Sequence, residues 1–436
     1  MATKVQLLCK LKDVPAGVIL LFVRVLYLTY DGLLDPLGGS QILPYVRGLQ
    51  QAVGVSFSVI SFEKPERWAK EGPTLEAQLT TEGIAWYPLR FSRRPPLLSK
   101  AYDLWRLHRT GAQLLHKQRI ALLHARSYVA GWVAHKLSQR YGVPWIFDMR
   151  GFWADERRET GAWPAHSPFY RTLYRIWKRR EKAMLRSAAH SIVLTEAARE
   201  LLLSWGLPPD RITVIPCVAD YTHFHLPPSE RSLARQHYRA ALDIPPHAYV
   251  LGYVGSLGPL YEVREMLRFF RVLRSLKEET YMVFYTPAAE EAVLRYWDEA
   301  GLPRSALRVR FVPRRELPAY LLALDSSIIF CPSGFSRVGS SPTRIAELLA
   351  MDIPVVAQAD LGDHVALAAQ IPGGLYLCER FDEAVYYQVA RRLLEREPSA
   401  SLLREASAPL LSLPVGLQRY KSVYERLLSP ARVLTK

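Results

Sequence analysis

No long apolar run, no close cysteine pair, no short-period repeat and no low-complexity stretch occurs in this chain of 436 residues. Each absence removes a class of protein. The apolar run at residues 18–23 ends at Arg24, far short of the roughly 20 residues that span a bilayer. The four cysteines, Cys9, Cys217, Cys331 and Cys378, form no C-x-x-C pair and have no histidine at ligand spacing. That excludes a disulfide framework and a structural zinc site, and suits reduced thiols in the cytoplasm. No helix-turn-helix, zinc-finger or RNA-binding signature accompanies the basic charge. Glycine and proline are scattered, so the chain is expected to fold along nearly its whole length.

What is present is size, apolar content and positive charge. A chain of this length exceeds one ordinary hydrophobic core, so two or three domains are expected. The net charge of +16, with pI ≈ 9.7, attracts anions: nucleic acid, acidic lipid or phosphorylated substrates. Lys4, Lys10 and Lys12 precede the first apolar run, in vague imitation of a signal peptide, but no small-residue cleavage site follows. We expect residues 1–22 to be an extension or a mis-assigned start, with the natural start at Val23.

From Arg24 onward, short apolar runs alternate with helical stretches. Runs at residues 25–28, 55–61, 84–88, 121–124, 145–148, 191–194 and 213–216 read as buried strands. After a polar, irregular stretch at 220–233, a second series begins at 249–254. It continues at 282–285, 309–311, 327–330, 354–357 and 374–377. Continuous apolar runs, each followed by a helix, signal parallel strands covered on both faces. The expected fold is α/β: two Rossmann-like, doubly wound parallel-sheet lobes facing each other, with the helix at 417–428 packing back on the first. The expected division is an N-terminal acceptor-side domain at 23–220 and a linker at 221–245. A nucleotide-sugar-binding domain at 246–412 and a terminal helix at 413–436 complete it.

In such sheets ligands bind outside the carboxyl ends of the strands. The segment Ser340-Ser341-Pro342-Thr343-Arg344 reads as a helix start, with Ser341 as N-cap and Pro342 at the first helical position. A helix N-terminus suits a phosphate, and the hydroxyls of Ser340, Ser341 and Thr343 add donors. Arg344 supplies a forked cation. Glu347, one turn on, shares its face and can accept hydrogen bonds from two vicinal ribose hydroxyls. The same two residues also read as a surface ion pair on an ordinary capped helix. Gly255 and Ser256 follow the strand at 249–254, and Gly38 and Gly39 close the first strand–loop. Glycines there let backbone N–H groups approach an anion.

Together these segments resemble the family-4 glycosyltransferases of the GT-B fold, in particular a bacterial subgroup. The resemblance runs from about Arg24 to Gly362. It rests on Asp35-Pro36-Leu37-Gly38-Gly39-Ser40-Gln41, on Asp148-Met149-Arg150-Gly151-Phe152-Trp153, and on the Gly255 and Ser340 segments. It implies a metal-independent, retaining transfer of a sugar from a nucleoside diphosphate, with no cofactor because the nucleotide-sugar is a substrate. By that likeness Gly39, Gly255, Ser256 and Arg344 cradle the diphosphate and Glu347 holds the ribose. Asp148 and Arg150 face the crevice near the acceptor, on the catalytic side. Two departures stand out. The family pattern has two glutamates separated by seven residues, and Gly339 occupies the first position. The Arg and Lys expected after the glycine loop are missing, with Pro259 and Tyr261 nearby.

Arg171, Arg175, Lys178, Lys182 and Arg186 recur at helical spacing beside a stripe of Phe169, Leu173, Ile176 and Ala183. Such a helix can lie on an anionic membrane, or pack its apolar stripe on the sheet with its basic residues in water. The expected partners are therefore a nucleoside-diphosphate sugar, a saccharide or lipid-linked acceptor, and an anionic membrane surface, with no nucleic acid. The expected location is cytoplasmic and peripheral, on the inner face of the plasma membrane. Two other readings stand beside this one: a nucleotide-sugar epimerase of the same fold, and a basic nucleic-acid-binding protein.

Overall fold

The computed structural model describes residues 23–396 and 402–429. The expectations for residues 1–22, Cys9 among them, lie outside the described residues. Two parallel sheets form the frame. The first holds β1 (Arg24–Thr29), β2 (Ser56–Glu63), β3 (Ala85–Arg90), β4 (Ile120–Arg126), β5 (Trp145–Asp148), β6 (His190–Val193) and β7 (Ile212–Val214) in the order β3-β2-β1-β4-β5-β6-β7. The second holds β8 (Tyr249–Val254), β9 (Thr280–Tyr285), β10 (Leu307–Arg310), β11 (Ser326–Ile329), β12 (Val355–Gln358) and β13 (Leu375–Cys378) in the order β10-β9-β8-β11-β12-β13. Every pairing is parallel. The central strands are buried on both faces because helices cover both sides, as their unbroken apolar runs require. Strand order reverses between β1 and β4, and again between β8 and β11. A crevice opens at the carboxyl ends there.

The last helix, Leu413–Leu428, returns to the first lobe. Tyr420, Val423, Tyr424, Leu427 and Leu428 join the core of β1 and β2. Beneath them, the Tyr424 hydroxyl lies 2.6 Å from His124 Nδ1, and the Tyr420 hydroxyl donates to Asp148 at 3.0 Å. The crossing is fixed by two backbone bonds, Ala219 N–H to Leu411 C=O and Leu413 N–H to Ala219 C=O, each 2.9 Å.

Three local expectations are corrected. The stretch read as an irregular linker contains a helix, Pro228–Ala240. Its Arg231 pairs with Asp352 at 2.6 Å, while Arg235 and Arg239 grip the two oxygens of Asp325, so it is docked on the second lobe. Gly38 and Gly39 lie in a helical turn, Pro36–Gln41, instead of an open loop. In the helix Pro168–Ser187 the buried face is Trp177, Glu181, Met184 and Leu185. Phe169 and Ile176 point to solvent, at 50% and 38% exposure. Lys178 turns inward to Asp155 at 2.8 Å and Glu181 at 2.5 Å, because the buried Glu181 needs a cation. Among the described residues no helix is long and apolar enough to cross a membrane.

The docking of the last helix is pH-sensitive. The Arg426 guanidinium donates to His190 Nδ1 at 2.7 Å, which demands a neutral imidazole. Burial, with Arg426 beside it, pushes the His190 pKa down to about 4. The unfolded chain takes up this proton near pH 6.5 while the folded chain refuses it until about pH 4. Stability from this site is therefore whole above about pH 6.5 and falls as pH drops toward 4. His190→Gln is expected to remove about 2 kcal/mol of the stability lost between pH 7 and pH 5. Chemical denaturation at the two pH values checks this, and an unchanged pH slope refutes it.

Candidate active site

The lobes meet where two glycines face each other. Gly151 follows Arg150 at the end of β5, in the left-handed region at φ 103. A Cβ on Gly339 would lie 3.1 Å from Gly151 Cα and 3.0 Å from the Phe152 ring. A side chain at position 339 would be tight, so that Gly151 or the Phe152 ring would have to give by a few tenths of an ångström. The glycine in place of the expected acid thus fits a close approach of the two lobes. Further polar contacts hold the lobes around this point. The Glu159 carboxylate accepts from the Ser336 N–H at 3.1 Å and from its hydroxyl. The Thr195 hydroxyl donates to Val338 C=O at 2.6 Å. Asp363 accepts from the N–H groups of Glu196 at 2.7 Å and Ala197 at 3.1 Å, capping the helix Glu196–Ser204 from the other lobe.

On the second lobe the helix Thr343–Ala350 starts one residue later than expected, with Pro342 as its N-cap. Ser341 is not a helix cap. Its hydroxyl accepts from Cys217 N–H at 3.2 Å, across the lobes. The Ser340 hydroxyl turns back toward Ser336 C=O at 3.4 Å. Thr343 is half-buried at the helix start. Arg344 and Glu347 do pair, and a third residue joins them: Arg314, in the loop after β10, reaches Glu347 Oε1 at 2.6 Å. Glu347 is 1% exposed. It is no surface carboxylate, and each of its oxygens accepts from one guanidinium.

Gly255 and Ser256 continue β8. The Gly255 N–H is used in the sheet, donating to Tyr285 C=O at 3.1 Å. The buried Tyr253 hydroxyl donates to Ser256 C=O at 2.7 Å and fixes the turn. Gly38 and Gly39 have separate fates. Gly38 is buried, and a Cβ there would sit 2.2 Å from Gly32 C=O, so packing demands the glycine. Gly39 is exposed and faces open space.

Asp148 is placed differently from the expectation. It is 0% exposed and lies under Tyr420, away from solvent. Burial pushes its carboxyl up, but Arg150, His124 and Arg126 outweigh that and hold it at about 2. Arg150 takes a positive φ of 58 to turn back over Asp148 at 3.7 Å. It also donates to Cys217 Sγ at 3.0 Å and approaches Gln41 Oε1 at 3.5 Å. Asp148 therefore positions Arg126 and Arg150.

Sequence reasoning passed over Arg314, Arg337 and Glu156 as site residues, and named Tyr261 only as a departure from the family pattern. Arg337, Glu156 and Tyr261 lie near one another at the carboxyl end of β11. Tyr261 feels the charges of Arg344, Arg337 and Glu156, and burial raises its pKa. Burial also raises the Glu156 carboxyl, against the pull of Arg337. The available signal was one of position: Arg337 stands in the loop after β11, at the reversal point of the sheet.

Comparison with known proteins follows this geometry. Residues 38–217 match the Glycosyl transferase 4-like domain family. A D-inositol 3-phosphate glycosyltransferase of Salinispora arenicola is 26% identical over 284 residues, 63% of this chain and 60% of that protein. A second, from Salinispora tropica, is 24% identical and covered over 56% of its length. The chain thus spans less than two thirds of these curated relatives. Among solved structures, Anabaena HepE in complex with UDP and glucose superposes with TM-score 0.67 at 15% identity, covering 93% of this chain and 100% of that one. Sucrose-phosphate synthase from Thermosynechococcus elongatus gives 0.66 at 14%, covering 93% and 99%. A UDP complex of MnaA from S. aureus gives 0.58 at 11%, covering 93% and 97%. At these identities the likeness shows a shared two-lobed architecture.

The glycine contact is testable without any ligand. Gly339→Glu is expected to leave both lobes folded by circular dichroism but to open them, raising the radius of gyration in solution scattering. An unchanged scattering profile would show that the contact does not set the closure.

Proposed function

Because the chain belongs to the family-4 glycosyltransferases of the GT-B fold, we propose that it moves a sugar from a nucleoside diphosphate to an acceptor, with retention of configuration and without a metal ion. The observation that carries this is the Arg314–Glu347–Arg344 arrangement at the mouth of the second lobe. Each Glu347 oxygen takes one N–H from an arginine and keeps a lone pair. Two vicinal ribose hydroxyls are the ligands such a carboxylate suits. The helix start at Thr343, with Ser256 and Gly39, supplies donors for the diphosphate, and Gly255 lets it approach the turn closely. The UDP found in structures of this architecture supports a nucleoside diphosphate here.

In the proposed step the bond between the sugar's anomeric carbon and the diphosphate oxygen breaks. The acceptor hydroxyl forms its bond on the same face. Its proton passes to the departing phosphate oxygen, so no protein base is required. Preorganised cations stabilise the charge on the leaving group. Arg150, held by Asp148, orients the acceptor side.

A groove of about 770 Å³ runs from the crevice edge along the first lobe. Trp205, Leu185 and Phe335 give it an apolar lining, and Lys182, Arg186 and Arg158 add cations. That mixture suits an amphiphilic, anionic acceptor such as a lipid-linked saccharide. The outward face of the helix Pro168–Ser187, with Phe169, Ile176, Arg171 and Arg175 exposed, extends it toward a membrane. An epimerase also shares this architecture, but the family match over residues 38–217 favours transfer.

A thermal-shift screen of nucleoside diphosphates is the direct test; no stabilisation by any of them would sink the reading. Glu347→Gln is expected to weaken the best ligand roughly 10–100-fold, the size of one hydrogen bond to a charged group. Arg344→Ala should lower turnover far more than melting temperature, and wild-type turnover removes it from the site. Vesicles containing acidic lipid should co-sediment the protein, and neutral vesicles should not. Equal binding to both excludes the basic helix as the contact.

A further inference from the structure

Arg337 is the most unusual charge in the molecule. It belongs to the short helix Phe335–Gly339 that follows β11, and it is 4% exposed. Its Nε and Nη2 have no hydrogen-bond partner among the described residues. Arg239, equally buried, donates to the carbonyls of Ala323, Pro246 and Ala248 and to Asp325, and Arg126 and Arg150, which also keep an unbonded nitrogen, face the Asp148 carboxylate. A guanidinium removed from water with idle N–H groups is strongly unfavourable unless something anionic arrives.

Its surroundings say what would arrive. β11 lies beside β8, so Arg337 is anchored one strand from the Gly255 turn. On one side it contacts the Cys331 thiol, whose pKa burial drives up to about 11, so that group stays neutral. Glu156 of the first lobe pulls on it electrostatically but forms no ion pair with it within 4.0 Å. The Gly151–Gly339 contact, two residues on, holds this loop against the first lobe. Meanwhile Arg344, the cation first expected to serve the diphosphate, is committed to Glu347. Arg337 stands at the reversal point with two buried nitrogens that no carboxylate takes up.

We propose that Arg337 is the principal diphosphate-binding cation of this chain, taking phosphate oxygens on Nε and Nη2. This rests on the nucleotide-sugar reading above and deepens it. Nε and one terminal nitrogen of a guanidinium form a parallel fork that matches two phosphate oxygens. The arrangement also explains why the Gly255 turn needs no basic residue after it. The cation comes from the next strand's loop instead.

The probe is inorganic pyrophosphate, which carries the recognised group and no base, titrated into the full chain by calorimetry beside UDP and UMP. Arg337→Met is expected to weaken pyrophosphate and UDP by roughly 10–100-fold. UMP should weaken less. The apo melting temperature should stay the same or rise, since an idle buried charge has been removed. That combination separates binding from structure, because a merely structural arginine would lower the melting temperature on loss. Arg337→Lys keeps the charge without the fork and should retain only part of the affinity, which keeps the test usable if the Met variant fails to fold. Wild-type pyrophosphate and UDP affinity in either variant overturns the proposal. If the wild-type chain binds no nucleoside diphosphate, the function proposed above falls, and this inference with it.

Discussion

Gly151 and Gly339 approach so closely that a side chain on either would crowd the other lobe. Much of the crevice depends on that approach. It draws the loop after β11 under the first lobe, where Glu159 caps Ser336 and Thr195 holds Val338. It carries Arg337 out of water and near Glu156. It also leaves little room for a side chain at position 339, where the family pattern has an acid. Closure and charge placement thus go together in this chain, through the glycine approach and the polar bonds around it.

A second constraint lies deeper in the first lobe. Asp148 sits where β5 ends, sealed beneath Tyr420 of the returning helix. Its charge survives burial only because Arg126 and Arg150 face it. Arg150 adopts a left-handed backbone to do so, which a non-glycine residue tolerates only where the surroundings over-determine it. The helix Leu413–Leu428 therefore does more than cover apolar surface. It closes the cage that sets the Arg150 side chain, and so couples the end of the chain to the crevice.

Strands and lobes were legible because their signal is local: unbroken apolar runs bounded by polar turns. β8 was read at 249–254, as it stands in the structure. Features that depend on distant partners were not legible. The helix Pro228–Ala240 looks polar and irregular alone, since its arginines find Asp325, Asp352 and backbone carbonyls mostly at a distance in the chain. Ser341 has the composition of a cap, yet Cys217 claims its hydroxyl from the other lobe. The stripe of Phe169 and Ile176 left open a membrane-facing or a sheet-packed face; Glu181 and Lys178 face inward and leave Phe169 and Ile176 exposed. The pair Arg344 and Glu347 was seen, whereas Arg314 lies 33 residues from Glu347 and reaches it only through the fold. Arg337 carries only the mark of its position after β11; its idle nitrogens are visible only in the fold.

The charge of +16 reads differently once the side chains are placed. Many arginines are internal clips. Arg404 spans the carbonyls of Tyr221, Phe224 and Ala350, tying the interlobe crossing to the second lobe. Arg308 binds the carbonyls of Leu242 and Asp243, and Arg426 reaches Asp210 C=O. Charges spent this way make no continuous basic stripe of the kind that tracks a nucleic-acid backbone. The cations left at the surface are spread over both lobes, as exposed Arg93, Arg140 and Arg304 show. Lys182 and Arg186 line the groove beside Trp205 and Leu185, and Arg314 and Arg344 flank Glu347. A net charge that first admitted any anion thus divides into internal clips and a dispersed surface, with local concentrations at the groove and beside Glu347.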